Sequence, residues 1–311
     1  MMTGLYRTNH TLLEKLSRSL EHSIPSEINA HSTEDFGETN VSRESVKISE
    51  ARISEIRKKV LTTEEIDDLM DAIDRQIDIS DDDTDAPMSD DQEQSVSRAS
   101  KYFATLDLYG RAIRNSEFIE VAEKRKHAKN FLDIWTRAIV TFIDAARKFS
   151  NEVQERRKDR GRAMPDQQME IIGHFINIII PVIASNLVYE QIGTEKLIPV
   201  FHEILSVESE GVGRKVLTAF VLLDLRQSGW DKHWRGFIKD FRKNKYVMRL
   251  CVEKLWFHYK TRPLSSTERQ TYENLIGDIE ISLGLPKLGK GKFISELKRK
   301  GERYVVEEKS N

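Results

Sequence analysis

The sequence predicts an all-α protein, an irregular helical bundle or array with a disordered, acidic N-terminal region. Three observations predict this class. Apolar residues recur at helical spacing through most of residues 97–284. Gly and Pro are sparse, at 15 and 7 of 311 residues, so the chain has few of the turn signals that a sheet protein needs. Residues 22–45 are rich in Ser, Thr, Asn, Asp and Glu and have almost no periodic apolar positions, which is typical of disorder.

The N-terminal hundred residues indicate short helices separated by polar segments. A short helix is expected at 5–21 within a first region, 1–44, and amphipathic acidic helices are expected at 45–78. Thr62 and Glu65 form a candidate capping box, after which apolar residues recur at i, i+3, i+4, i+7 and i+11. These residues are Ile66, Leu69, Met70, Ile73 and Ile77. We expect their face to dock on the helical core, and the acidic run at 79–97 to form a solvated linker.

One core helical domain is predicted at 98–285, followed by a basic tail at 286–311. Its first helix carries an apolar stripe, and the longest pattern, 117–150, carries another. The first stripe is Tyr102, Leu106, Tyr109 and Ile113, and the second is Phe131, Trp135, Ala138, Phe142, Ala145 and Phe149. Later breaks fall at Gly193, Gly211, Gly229 and Pro263, and the last is followed by a second capping box, Ser265 to Glu268. The irregular spacing of these breaks excludes a regular solenoid.

A strongly apolar segment at 171–189 is long enough to be weighed as a membrane span. It contains His174, Asn177, Asn186 and Pro181. Such polar groups are costly in hydrocarbon. We therefore interpret the segment as a helix buried on all sides of the bundle and kinked at Pro181.

Charge divides the chain into two parts. Residues 1–100 hold 11 Lys and Arg against 23 Asp and Glu, a net charge of -12. Residues 101–311 hold 38 against 28, a net charge of +10. Because the two parts carry opposite charge, they favour association with each other. Alternatively, the basic part binds an anionic partner for which the acidic part competes.

Sequence signatures of catalysis are missing. GLPKLGKG at 284–291 lacks the final Ser or Thr of a phosphate loop, and no two of the eight histidines have i, i+4 spacing. Cys251 is the single cysteine and lies in an apolar pattern, which favours a buried thiol. The first twenty residues lack the apolar core of a signal peptide. We expect a cytoplasmic protein without enzymatic activity, cofactor or metal, and without a membrane partner.

Basic and aromatic residues are interleaved between Trp230 and Arg262, which is typical of nucleic-acid binding. The candidate contacts are Lys232, Arg235, Lys239, Arg242, Lys243 and Lys245. The alternative is structural, because Trp230, Trp234, Phe237 and Phe241 follow one another at spacings of 4, 3 and 4. That spacing favours an inward aromatic stripe with a solvated basic back.

Three stretches together resemble the C-terminal helical region of bacterial STAND proteins, the signal-transduction ATPases with numerous associated domains. They are TTEEIDDLMDAID, ATLDLYGRAIRNSEF at 104–118, and FRKNKYVMRLCVEKLWFHYKTRPLSSTERQ at 241–270. In that family an ATPase and an effector domain lie N-terminal to this region, and this chain carries neither. The resemblance implies a scaffolding, regulatory or recognition role in anti-phage defence, as part of a split or longer system.

The sequence thus predicts a helical interaction or regulatory module. Its expected partner is a protein, either a separate ATPase or a second copy of the chain. A nucleic-acid-binding protein that uses residues 230–262 and the C-terminal tail is the alternative.

Overall fold

The computed structural model describes residues 9–29, 36, 90–116, 120–159, 164, 169, 172–207 and 210–283. This described part is 87% helical and contains no strand, which confirms the all-α class. The chain divides into two compact units, residues 1–225 (unit 1) and 226–311 (unit 2), where the sequence predicted one core domain at 98–285. The predicted acidic helices at 45–78 and the basic tail at 286–311 lie outside the described residues.

Unit 1 is organised around one long helix. Its described α-helices are α1 (Asn9–His22), α2 (Ser26–Asn29), α3 (Asp90–Arg114), α4 (Val121–Asp159), α5 (Ile180–Ile192), α6 (Ile198–Ser206) and α7 (Val212–Leu225). A π-helical segment, Phe175–Ile179, leads into α5, and a 3-10 turn, Glu195–Leu197, leads into α6. The long helix α4 packs against α2, α3, α5, α6 and α7, while α3 also packs against α1 and α5.

The structure describes residues 9–29, which contain two helices, and one further residue of the polar N-terminal segment. The expected short helix is present as α1, which buries Leu13, Leu16 and Leu20. The prediction of disorder at 22–45 is wrong at α2, which forms one helical turn and buries Ile28. Phe36 is also fully buried. A few apolar side chains therefore suffice to hold this polar segment where they enter the core.

Helix α3 confirms the predicted apolar stripe and corrects the predicted boundary. All four stripe residues are at most 1% exposed. The helix begins at Asp90, inside the segment that was predicted to be a linker.

The stripe on α4 is buried only along its first half. Phe131, Trp135 and Ala138 are buried, whereas Phe142 is 39% and Phe149 64% exposed. The prediction that all six residues share the core is therefore wrong for the second half. The buried residues of α4 end at Ile143, although the helix continues for four more turns to Asp159.

The π-helical segment explains how Pro181 is accommodated. Proline has no N–H, and its ring clashes with the carbonyl four residues earlier in a regular helix. The N–H of Ile180 bonds to the carbonyl of Phe175, five residues earlier, so the backbone is already widened ahead of the proline. The kink predicted at Pro181 stays a prediction, and the helical irregularity that the structure describes is this π-helical segment ahead of the proline.

Unit 2 contains α8 (Trp230–Phe241), α9 (Lys245–Thr261) and α10 (Ser266–Ser282), which pack against one another. Local signals set their starts. Gly229 precedes α8 with φ of 80°, a left-handed conformation that favours glycine. The Asn244 side chain accepts from the N–H of Val247, and the predicted capping box of Ser265 and Glu268 is present. Hydrogen bonds from the Ser265 backbone and hydroxyl lower the pKa of Glu268.

The close approach of α3 and α4 is testable at Gly110. A Cβ there would lie 2.7 Å from the Phe131 ring and 2.9 Å from Cβ of Gln191. We expect Gly110→Ala to lower the free energy of unfolding by about 1–3 kcal/mol, because the added methyl group would overpack against the fully buried Phe131 ring. Urea denaturation measures it. Gly173→Ala is the control, because nothing lies within 4 Å of its added Cβ, and equal losses from both variants would contradict the packing.

Candidate functional site

An apolar stripe lies exposed along the helix that contains α5. Phe175 is 44%, Ile183 48% and Leu187 44% exposed, and Ile179 is half-buried between them. These four residues recur every fourth position and are called here the exposed stripe. The expectation that this helix is buried on all sides is therefore wrong. Ile178, Val182 and Val188 are buried on its other side, so the helix is apolar on both sides.

The inner side of the same helix is anchored to α4 by polar contacts at both ends. Near its start, Arg147 donates to Oδ1 of Asn177 from two nitrogens, at 3.0 and 2.6 Å, and Asn177 donates to the carbonyl of Gly173. Near its end, Nε1 of Trp135 donates to Oε1 of Gln191 at 3.0 Å. Since residue 135 is paired with 191 and 147 with 177, the two helices run antiparallel. The orientation of the exposed stripe is fixed by these contacts.

Ile172–Ile192 also passes a membrane-span test of length and composition. Of its most apolar window, 44% is buried inside the protein. The core helix of a protein in water can pass the same test, so this feature by itself carries little weight.

A second surface is the basic face of α8, defined by the six predicted nucleic-acid contacts. Lys232, Arg235 and Lys239 lie at i, i+3 and i+7 on α8, and Arg242, Lys243 and Lys245 follow around the start of α9. All six side chains are exposed. Arg235 lies 3.4 Å from an oxygen of Asp278, in an exposed ion pair of small energy.

The aromatic residues of α8 point the other way. Trp234 is 1% and Phe237 5% exposed, while Trp230 and Phe241 are half-buried. The Trp230 ring lies 4.9 Å from the Tyr272 ring. The predicted inward stripe is thus observed. Because the rings of Trp234 and Phe237 are buried, they cannot stack on bases.

Not all basic residues between Trp230 and Arg262 lie at the surface. Lys254 and His258 are fully buried, Arg249 is 5% exposed and Glu280 is 8% exposed. Nδ1 of His258 lies 3.3 Å from the Tyr272 hydroxyl. Arg249 and Lys254 belong to the basic and aromatic segment between Trp230 and Arg262, but they lie in the core and not at the surface. Their position between the core residues Leu250, Cys251, Val252 and Leu255 was the signal for burial.

A charged cluster that the sequence did not predict joins α4 to α6 and α7. Arg125, Lys129 and Asp133 occupy positions i, i+4 and i+8 of α4. Arg125 contacts Glu203, Lys129 contacts Glu210, and Arg214 contacts Glu210 and Asp133, with Nε of Arg214 2.7 Å from Asp133. These six residues are called here the charge clamp. The sequence spacing of Arg125, Lys129 and Asp133 does not reveal these contacts, because Glu210 and Arg214 each lie 81 residues from their partners on α4.

The charge clamp borders a shallow cleft of about 460 Å³. It is lined by Ala122, Arg125, Lys126, Lys129, Asn130, Asp133 and Arg214. The three cations of the clamp are matched by three carboxylates, so the cluster is neutral. We assign it a structural role, because a neutral cluster offers an anion little net attraction.

Tyr109, His127 and Cys251 are buried titratable residues that pack in the core. The Tyr109 hydroxyl lies 2.7 Å from Nδ1 of His127, and burial raises the pKa of Tyr109 to about 12. Burial likewise raises the pKa of the Cys251 thiol, which makes it a poor nucleophile. Within the described part of the chain, no group of three or more His, Cys, Asp or Glu side chains could hold a metal ion. The phosphate-loop near-match at 284–291 lies outside it.

No protein-family model, curated protein or solved structure matches the chain. The resemblance to STAND proteins therefore stays a prediction.

The charge clamp makes Glu210 a sensitive position, because its side chain is only 6% exposed and contacts two cations. We expect Glu210→Gln to lower the free energy of unfolding by about 1–3 kcal/mol, since it leaves Lys129 and Arg214 short of a charged partner. Chemical denaturation checks this. Glu155→Gln removes an exposed pair with Lys158 and should cost less than about 0.5 kcal/mol. Equal effects would show that the clamp does not stabilise unit 1.

Proposed function

We propose that this protein is a non-enzymatic helical interaction or regulatory module that acts through protein contacts. The exposed stripe is the single observation that carries this proposal. Three apolar side chains, each more than 40% exposed, are aligned on one rigid helix. Aligned apolar side chains at i, i+4 spacing form the kind of surface that a partner helix covers.

The anchoring of the stripe supports the same role. Contacts of the helix with α4 at both of its ends hold the stripe in one orientation. A preorganised apolar surface binds with a smaller entropic cost than a mobile one. In this proposal the protein works in the cytoplasm, and its partner is a separate ATPase or a second copy of the chain. The likeness to the helical region of STAND-type defence ATPases favours a regulatory role.

Charge reversal within the stripe tests the proposal. We expect Leu187→Glu to abolish capture of the protein's partner from its native host, because it places a carboxylate where apolar contact is needed. Affinity capture followed by mass spectrometry measures this. Leu12→Glu is the matched control, because Leu12 is similarly exposed, at 41%, but lies on α1. Identical capture by wild type and both variants would remove the support for the stripe.

A nucleic-acid-binding role is the second candidate, and the basic face of α8 favours it. Six cations are exposed within residues 232–245, and Asp240 is the one exposed carboxylate among these described residues. Such a face can contact successive phosphates. Because its aromatic residues point inward, this role would depend on phosphate contacts rather than base stacking.

Salt dependence separates this candidate from the first. If the face binds RNA or DNA, each phosphate contact should contribute roughly 0.7–0.9 to the slope of log affinity against log salt concentration. Lys239, Arg242 and Lys243 reversed to Glu should flatten that slope, as measured by fluorescence anisotropy. Lys15, Lys101 and Lys158 reversed to Glu make the same charge change elsewhere and should not. Equal loss in both triple variants would indicate only a general charge effect.

A further inference from the structure

We propose that α8 is a DNA-binding helix, which lies in the major groove of B-form DNA with its basic face against the phosphates and with Gly236 at the point of closest approach. This inference rests on the nucleic-acid-binding role, the second candidate function, because it names the ligand class of the same face. Three observations support it: the line of cations around Gly236, the inward aromatic rings and the exposed half of the helix.

Gly236 lies at the centre of the basic face. Lys232, Gly236 and Lys239 follow one another on α8 at spacings of 4 and 3, and Lys243 continues the line just beyond its end. Residues at these spacings share one side of a helix, and Arg242 still has helical φ and ψ of -54° and -24°. All of these residues are exposed. The line therefore rises about 10 Å from Lys232 to Lys239, with Gly236 between the two cations.

The packing of the described residues gives no reason for a glycine at position 236. A Cβ there would meet no described atom within 4 Å, whereas one at Gly110 would overlap its neighbours. Its φ is also outside the left-handed region that Gly229 occupies. Glycine in the middle of a helix lowers the stability of the helix relative to alanine. A phosphate that approaches the helix backbone supplies the reason, because a side chain at 236 would keep it away from Lys232 and Lys239.

The aromatic rings favour a duplex over a single strand. Trp234 and Phe237 are buried, and the exposed large apolar side chains of the described residues include none on α8. Proteins that bind single strands combine cations with exposed aromatic rings, on which the bases stack. A duplex keeps its bases stacked and presents its phosphates in a fixed array, so cations on a rigid helix suffice. The same lack of exposed apolar side chains leaves α8 without a group to insert into a lipid bilayer.

The exposed half of α8 favours DNA over RNA. Six of the twelve residues of α8 are exposed, so half of the helix is free to enter a groove. An α-helix with its side chains is about 10–12 Å wide, and the major groove of B-form DNA is about 12 Å wide. The major groove of an RNA duplex is too narrow to admit it. Double-stranded DNA is therefore the ligand that fits this helix.

The charges beside the line of cations set the orientation of the DNA. Arg235 and Arg242 lie seven residues apart on one edge of the line, and Asp240 is exposed on the other edge. The edge with the two arginines therefore faces the nearer phosphate strand, because a carboxylate there would repel it. Asp278 lies 3.4 Å from Arg235, but this pair is exposed and of small energy, so a phosphate can replace the carboxylate.

Fluorescence anisotropy of the full chain with a short labelled DNA duplex tests the ligand class. The duplex should bind more tightly than either of its separated strands and than the RNA duplex of the same sequence, because only B-form DNA offers a groove wide enough for α8. Equal or tighter binding of the RNA duplex or of a single strand overturns the major-groove arrangement. The nucleic-acid-binding role then stands without it.

Substitution of Gly236 tests the close approach without any change of charge. Gly236→Ala and Gly236→Gln should weaken binding of the DNA duplex progressively, by about fivefold or more for Gln, because the new side chain holds the phosphates away. Both should raise the urea midpoint of unfolding, since alanine and glutamine are better helix formers than glycine. Gly277→Ala is the matched control, because Gly277 lies on α10 and its added Cβ also meets nothing within 4 Å. This control should raise the midpoint and leave DNA binding unchanged.

The remaining outcomes separate this inference from the candidate role. If Gly236→Gln binds the DNA duplex as tightly as the wild type, while reversal of Lys239, Arg242 and Lys243 to Glu abolishes binding, the close approach fails and the nucleic-acid-binding role stands. If the wild type binds neither DNA nor RNA at physiological salt, both fail. If polyglutamate displaces the duplex at an equal concentration of charged groups, the face accepts an acidic protein and the assignment to DNA is overturned.

Discussion

Burial of one face of α4 is the constraint on which the rest of unit 1 depends. Five described helices pack against α4, and each must present apolar surface to it. Phe131, Ile139 and Ile143 are fully buried there, and each contributes about 1.5–3 kcal/mol relative to exposure. Gly110 lets α3 approach the Phe131 ring more closely than any side chain would allow. The positions of α3 and α5 follow from these contacts.

Polar contacts add specificity to this apolar core. The charge clamp fixes α6 and α7 against the first third of α4, while Arg147 and Trp135 fix the helix that contains α5. Apolar packing alone tolerates sliding of one helix along another, whereas directional contacts at both ends of a helix do not. The charge clamp therefore fixes the position of α6 and α7 along α4. Phe175, Ile183 and Leu187 stay exposed on the outer side of the helix that contains α5.

The two exposed surfaces differ in the chemistry that they offer. The exposed stripe is apolar and suits a helix of another protein chain, whereas the basic face of α8 suits a polyanion. Each belongs to a different compact unit of the chain. Binding at the apolar stripe and binding at the basic face should depend differently on salt concentration, which distinguishes the two surfaces experimentally.

The sequence by itself determined the helical class, the buried stripe of α3, the capping box at Ser265 and the inward turn of Trp234 and Phe237. These features depend on residues within a few turns of one another, and helical periodicity records them directly. The tertiary structure alone decided which apolar stripe is covered. Whether Phe149 or Ile183 meets a neighbour, and whether Lys254 meets water, depends on helices far away in the sequence. Periodicity identifies an apolar face, but only the arrangement of the other helices determines what lies against it.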